Sequence, residues 1–326
     1  MEIFKIVMLI IGSIIGAGFA SGKEIEVFFT SKGNLNIVSL IILFLGFFVT
    51  IKQFLFLGKK YDIDDIYSLN KCLFKKSKIF DYLTTIIYFI ICGAMISGIS
   101  SLFMCIFDGV LYTVFMFIVL GILVFVTTKN LNFISIINAI FIPVIIIFIF
   151  LLGIIKIDFL QIKIEVNFLR SLTQILYVLF YIGINVYLSS ALISACNIKK
   201  YKLTSLVTSG ILSILVLMSI LILKSNITSS DLPYLQISSH INKFMYIFCI
   251  IVSFLGIFTT VISTTKILSN TIRNNDSKKN EVYYALIVVG ISYVISLIGF
   301  SNIVSYLYPV IGLIGFYYCI KSYLVK

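Results

Sequence analysis

Gly12-Ser13-Ile14-Ile15-Gly16-Ala17-Gly18-Phe19-Ala20-Ser21-Gly22 lies inside the first long apolar run of the chain. A plain membrane-crossing helix has no use for four glycines there, since each costs about 1 kcal/mol relative to alanine in a helix interior. Either the helix is interrupted or something approaches it closely. Backbone groups freed by an interruption cannot face lipid, so they must face protein or a ligand cavity. Close approach is the alternative, because Gly12 and Gly16 form a GxxxG pair of the kind that lets a second helix pack against the first. The stretch alone leaves both readings open.

Composition fixes the class. The 326 residues are 60% hydrophobic and only 12% charged, with a mean hydropathy of +1.15. A soluble domain of that make-up would expose far too much apolar surface, so the chain is read as an all-α polytopic membrane protein. Its net charge of +12 does not mark a nucleic-acid partner, because the lysines cluster in short loops between apolar runs. The six cysteines show no CxxC pair and no metal or disulfide spacing, and the lone histidine, His240, reads as a solvated loop residue. HExxH, GxSxG and paired intramembrane carboxylates are absent, so no enzyme and no cofactor are expected.

Ten segments are apolar enough to cross a bilayer: 3–30, 35–58, 80–107, 109–128, 131–153, 171–196, 203–223, 241–268, 282–299 and 301–321. The N-terminus has the outline of a signal peptide, but apolar character resumes after Lys23-Glu24, so it is read as the first span. Eighteen of the 25 basic residues fall on the side that holds both termini and seven on the other. That asymmetry predicts cytoplasmic termini. Residues 59–79 suit a short cytoplasmic helix, residues 154–170 an amphipathic segment on the outer surface, and residues 224–240 an external loop.

A second anomaly, Tyr181-Ile182-Gly183-Ile184-Asn185, sits in the middle of the sixth span. Gly183 lies 167 residues after Gly16, and Pro309 lies 166 residues after Pro143. Helix-interrupting residues thus recur at nearly one spacing across five spans. Because five is odd, the second half must insert upside down. This predicts one transmembrane domain over 1–326, built as inverted repeats 1–153 and 171–321, with spans one and six broken.

Gly12-Ser13-Ile14-Ile15-Gly16-Ala17-Gly18-Phe19 resembles the first-helix signature of the amino acid–polyamine–organocation superfamily, which has the LeuT-type fold of five plus five inverted helices. The longer string Gly16 to Glu24 is similar to the YkvI-type branch, a bacterial membrane-protein family without an established substrate, and Tyr181 and Asn185 fit that branch. Two departures stand out: Lys23 where the branch often has glutamine, and Asn185 where amino-acid permeases commonly place an acid.

The resemblance implies a multi-pass transporter of the bacterial cell membrane that works by alternating access on a small solute. Backbone N–H groups from about Gly18 to Ser21 would attract a carboxylate, and carbonyls near Tyr181 to Gly183 would face an ammonium. With no Asp, Glu, Lys or Arg at the midpoint of either expected break, the substrate is expected to be an amino acid or related zwitterion. Gly16, Ala17, Gly18, Phe19, Ser21, Tyr181, Gly183, Asn185 and Met95 are the expected substrate-binding residues; Gly93 would stand beside Met95, and both read more readily as helix packing. By the same resemblance, sodium would be held by carbonyls of Gly12, Ile15 and Gly256 and the hydroxyls of Thr259 and Thr260, oxygen-only ligation that suits a hard cation. Glu24 is the other coupling candidate, because an ionisable residue inside a span is a functional hypothesis by default. Its bland alternative is pairing with Lys23 or a loop residue. A ligand sensor of the same fold, or a proton-coupled transporter, is the competing reading; protein partners are not legible.

Overall fold

The computed structural model describes the chain except residues 1, 64, 75–76, 129–130, 159, 161–162, 165–166, 197, 227, 229, 276–279 and 326; for residues 2, 17, 131–140 and 273–275 it describes the backbone alone. The first span is three helices in series: α1 (Glu2–Ile14), α2 (Ala17–Ser21) and α3 (Lys23–Phe28). There follow α4 (Ile37–Tyr61), α5 (Ile66–Leu73), α6 (Lys78–Met104), α7 (Gly109–Thr127) and α8 (Leu131–Lys156). The second half holds α9 (Phe168–Ala195), α10 (Tyr201–Lys224), α11 (Pro233–Ser239), α12 (Lys243–Asn275), α13 (Glu281–Ser296), α14 (Phe300–Asn302) and α15 (Tyr308–Tyr323).

Each of the ten expected spans falls on helix. Among the described residues, seven helical stretches are long and apolar enough to cross a bilayer unaided; residues 3–14 of α1, α13 and residues 141–156 of α8 are shorter apolar pieces. Val110, Phe117, Ile154, Val294 and Leu313 are among many large apolar side chains left exposed. In water that surface would be costly, whereas lipid tails cover it without penalty.

The first break is real, and the local chemistry explains it. Gly16 is extended (φ −94°, ψ −165°), and its N–H turns back to the Ile14 carbonyl at 2.9 Å instead of continuing the helical ladder. A second interruption follows at Gly22, whose φ of +85° is left-handed backbone, a conformation only glycine takes freely. A side chain at Gly22 would also run into the Tyr234 ring of α11.

The sixth span is not broken, contrary to expectation. α9 runs unbroken from Phe168 to Ala195. Gly183 is there for packing: a Cβ on it would overlap the Gly312 carbonyl and the Phe316 backbone of α15, and Gly315 sits as tightly on the Gly183 carbonyl. Small residues let these two helices approach backbone to backbone. Pro143 is likewise inside continuous helix. Pro309 does mark an irregularity, since residues Ile303–Leu307 form a π-helical turn just before it. Proline has no N–H to give the carbonyl one turn back, and the wider turn absorbs that loss. So one member of each matched pair interrupts its span.

One connection differs from expectation as well. Residues 224–240 contain α11, started by Pro233 at its first turn, and Tyr234, Leu235 and Ile237 are buried. Between α8 and α9, where an amphipathic surface segment is expected, Ile164 bridges Leu35, and Leu160 and Ile164 are exposed; residues 159, 161–162 and 165–166 lie outside the described residues. The short helix expected over residues 59–79 is present as α5, capped by Asp65 and Ser68. Its Asn70 donates to Asp81 Oδ1 at 2.8 Å and Thr84 Oγ1 at 3.2 Å, and accepts from the Tyr318 hydroxyl at 2.8 Å; Tyr187 donates to Thr84 at 2.8 Å. Asn70 thereby ties α5 to α6 and α15. Asn70→Ala would strand buried partners, so it is expected to cost about 3 kcal/mol, measured as a lower thermal unfolding midpoint in detergent; Lys59→Ala, at an exposed site, should leave it unchanged.

Candidate solute and cation site

Each glycine of the first span meets a different neighbour. A Cβ on Gly12 would overlap Ile142 of α8, one on Gly16 would stand 3.4 Å from Thr260 Oγ1 of α12, and one on Gly18 would overlap the Glu24 carboxyl. The break therefore faces α12 on one side and the chain's own carboxyl on the other. It is also held from two neighbouring spans: Ser189 of α9 donates to the Ser13 carbonyl at 2.8 Å, and Ser253 of α12 donates to the Ala20 carbonyl at 3.3 Å.

Of the expected cation ligands, Thr260 is the one set against the break. Thr259 and Thr260 both donate to the Gly256 carbonyl, at 3.1 and 3.0 Å. These are the back-bonds that hydroxyls make in any membrane helix, yet they orient the two oxygens with lone pairs unused. They also use both lone pairs of Gly256 O, so the oxygens left for a cation are the two hydroxyls and the carbonyls of α1. No donor among the described residues reaches the carbonyl of Gly12 or Ile15. Gly256 has a second job, since a Cβ there would press on Ala20 of α2. An all-oxygen set of this kind fits a hard monovalent cation.

The expected substrate residues divide. Phe19 and Ser21 are buried in α2, with Ser21 donating to the Gly18 carbonyl at 3.0 Å. Tyr181 is buried among the rings of Phe29, Phe28 and Phe47, at 5.1, 5.6 and 6.1 Å between centroids. Asn185 donates back to the Tyr181 carbonyl at 2.9 Å, a local bond within intact helix. Gly183 belongs to the α9–α15 contact described above. Gly93 packs on Ile295 and Ser292 of α13, away from the break. Met95 is buried in α6, between Cys92, which meets Thr265 of α12, and Gly98, which packs on Ile257 of α12, so it reads as packing.

The anion-binding helix start needs correcting. The Ala20 N–H already bonds to the Gly16 carbonyl at 3.0 Å, so the open N–H groups begin at Ala17, not Gly18. With five residues, α2 has little dipole to offer. The bland pairing of Glu24 is also wrong in detail: Lys23 pairs with Glu26, Nζ to Oε2 at 2.7 Å, and donates to the Ser230 carbonyl at 3.3 Å. Glu24 Oε2 is buried with no partner among the described residues. Tyr181 and Tyr308 stand close enough to feel its charge. Ser189 and Tyr308 escaped the sequence reading, although Tyr181, Asn185 and Ser189 follow at i, i+4 and i+8 on one stripe of α9.

A broken first span, clasped by an unbroken sixth and by the hydroxyl-bearing eighth, describes a helical membrane protein of the LeuT-type fold. The comparisons agree on the fold. The chain is similar to Mhp1 in an inward-facing conformation (TM-score 0.57, 12% identity, covering 95% of this chain and 72% of that one). It is also similar to Mhp1 in a closed conformation with bromovinylhydantoin bound, described as a nucleobase-cation-symport-1 family transporter (TM-score 0.56, 11% identity, 95% and 74%). Among sequences, it is 21% identical over 322 residues to the uncharacterized membrane protein YkvI of Bacillus subtilis (strain 168), covering 95% of this chain and 92% of that protein. No family model matches.

Proposed function

We propose that the chain is a secondary active transporter of a small organic solute of the amino-acid and amine class, driven by sodium through alternating access in a bacterial cell membrane. The observation that carries this reading is the apposition of Thr260 to the break at Gly16, in a fold shared with a cation-symport transporter. Interrupted helices at a repeat interface are where such proteins bind solute and ion. The two halves, 1–153 and 171–321, are the repeats, and span ten, with its π turn, is the second element whose irregularity gives room to move.

Sodium sits between α1 and α12, with solute beside it toward Phe19 and Tyr181. Binding of one favours the other, so sodium raises solute affinity and solute raises sodium affinity by the same factor. The test is solute-dependent thermal stabilisation of purified protein in sodium chloride against choline chloride. Ligand binding to the folded state raises stability by RT ln(1 + [L]/Kd). Stabilisation that requires sodium supports the reading; equal stabilisation in both salts contradicts sodium coupling.

The orientation follows from the basic residues, with both termini in the cytoplasm. Leu160 is almost fully exposed, at 96%. A Leu160→Cys variant in a Cys105→Ser background, chosen because Cys105 is itself exposed, is expected to react with a membrane-impermeant maleimide on intact cells. Labelling only after lysis would contradict the orientation.

A further inference from the structure

Glu24 is 6% exposed, and its carboxyl lies over Gly18, on the α2 side of the break, where only a residue without a Cβ leaves room for it. Its Oε2 meets no donor among the described residues. The basic residues at this end of the molecule are engaged elsewhere. Lys23 holds Glu26 and the Ser230 carbonyl, Lys224 donates to the Thr30 and Gly33 carbonyls, and Lys32 lies over the Tyr177 ring at 4.3 Å. The titratable groups that face Glu24 from the packed elements are Tyr181 of α9 and Tyr308 of α15. Both are buried, and Tyr181 stands inside the cluster of Phe28, Phe29 and Phe47.

A lone carboxylate taken out of water without a partner is costly, by several kcal/mol, and the ligand that relieves the cost is a cation. Sodium is a poor candidate at this point, because it needs several oxygen ligands and the side chains that face Glu24, Tyr181 and Tyr308, are aromatic. An organic ammonium suits both features: it forms a charge-assisted bond with the carboxylate, and its alkyl part and charge are both welcome against aromatic faces. A solute carboxylate, by contrast, would have to share the side of α2 that Glu24 fills, against a like charge. From this we infer that the solute is an organic amine held by Glu24, and that amino acids are rejected because of their carboxylate. This rests on the break being the solute site and narrows its substrate class.

Matched pairs test it: isoamylamine against leucine, and phenethylamine against phenylalanine, titrated calorimetrically into the purified full-length protein in sodium chloride. Each pair differs only in the carboxylate. The expected result is that at least one amine binds at least tenfold tighter than its parent amino acid. Glu24→Gln is expected to abolish that preference and Glu24→Asp to keep part of it; the wild-type comparison stands even if a variant fails to fold. Parent amino acids binding as tightly as, or tighter than, their amines overturns the inference and leaves the transporter reading intact. If neither member of either pair binds and neither is taken up by proteoliposomes under an inward sodium gradient, the assignment of the break as an amine-class solute site falls, and the inference with it.

Discussion

Thr260→Val is expected to weaken sodium binding at least tenfold and to remove the sodium dependence of solute binding. Valine keeps the shape of threonine and deletes one oxygen. In the structure that oxygen faces Gly16 across the break, which sets it better than the Thr259 hydroxyl to share a cation with the carbonyls of α1. A hard cation whose shell is short of one ligand binds much more weakly. Because coupling is reciprocal, sodium affinity without solute must fall along with solute affinity at fixed sodium. Thr259→Val removes a hydroxyl about 100° around the helix and is expected to do less. Thr204→Val serves as the control, since the Thr204 hydroxyl only bonds back to the Lys200 carbonyl at 3.1 Å. Intact sodium-dependent binding in Thr260→Val would remove the assignment of sodium to Thr260 and the α1–α12 break.

Gly183→Ala is expected to have the second large effect, through folding. The added methyl would collide with the Gly312 carbonyl and the Phe316 backbone. Neither is a flexible side chain that can swing away, so α9 and α15 must separate along their contact. Overpacking of this kind costs typically 1–3 kcal/mol and more where backbone must shift. The yield of monodisperse protein after detergent extraction should drop several-fold. Gly210→Ala, with nothing within 4 Å of the added methyl, should express normally. An equal yield for Gly183→Ala would mean that the α9–α15 contact is looser than described.

The contrast between Gly16 and Gly183 shows how far the sequence could be read. Both are glycines in mid-span, at nearly matching positions, and both were expected to mark breaks. Gly16 has no helix backbone pressed against it, and the chain turns extended there. Gly183 sits under Gly312 and Gly315, partners 129 and 132 residues away, and no local pattern announces which helix will land on a given glycine. The membrane class, the helical spans and the short helix α5 were legible because apolar run length and capping residues are local signals. The unbroken ninth helix, α11 and the π turn before Pro309 depend on tertiary partners.

Glu24 shows the same limit at the site. Its presence inside the first span was visible, and so was the chance that it paired with Lys23. That Lys23 turns to Glu26 while Glu24 folds back over Gly18 depends on the left-handed Gly22 between α2 and α3, which sets the register of the two short helices. The Thr260 and Gly16 apposition, on the other hand, joins two residues singled out from sequence. They lie 244 positions apart in the chain and the fold brings them together.

The central claim is that this break moves solute with sodium, and solute-evoked charge movement measures it most directly. Purified protein in proteoliposomes on a solid-supported membrane would be challenged with isoamylamine, phenethylamine, leucine and phenylalanine in sodium chloride, then in choline chloride. The account predicts an inward transient current for at least one solute in sodium, absent in choline and lost in Thr260→Val. Solute that stabilises the protein in the thermal assay yet evokes no current in either salt would contradict transport and leave a membrane-embedded sensor.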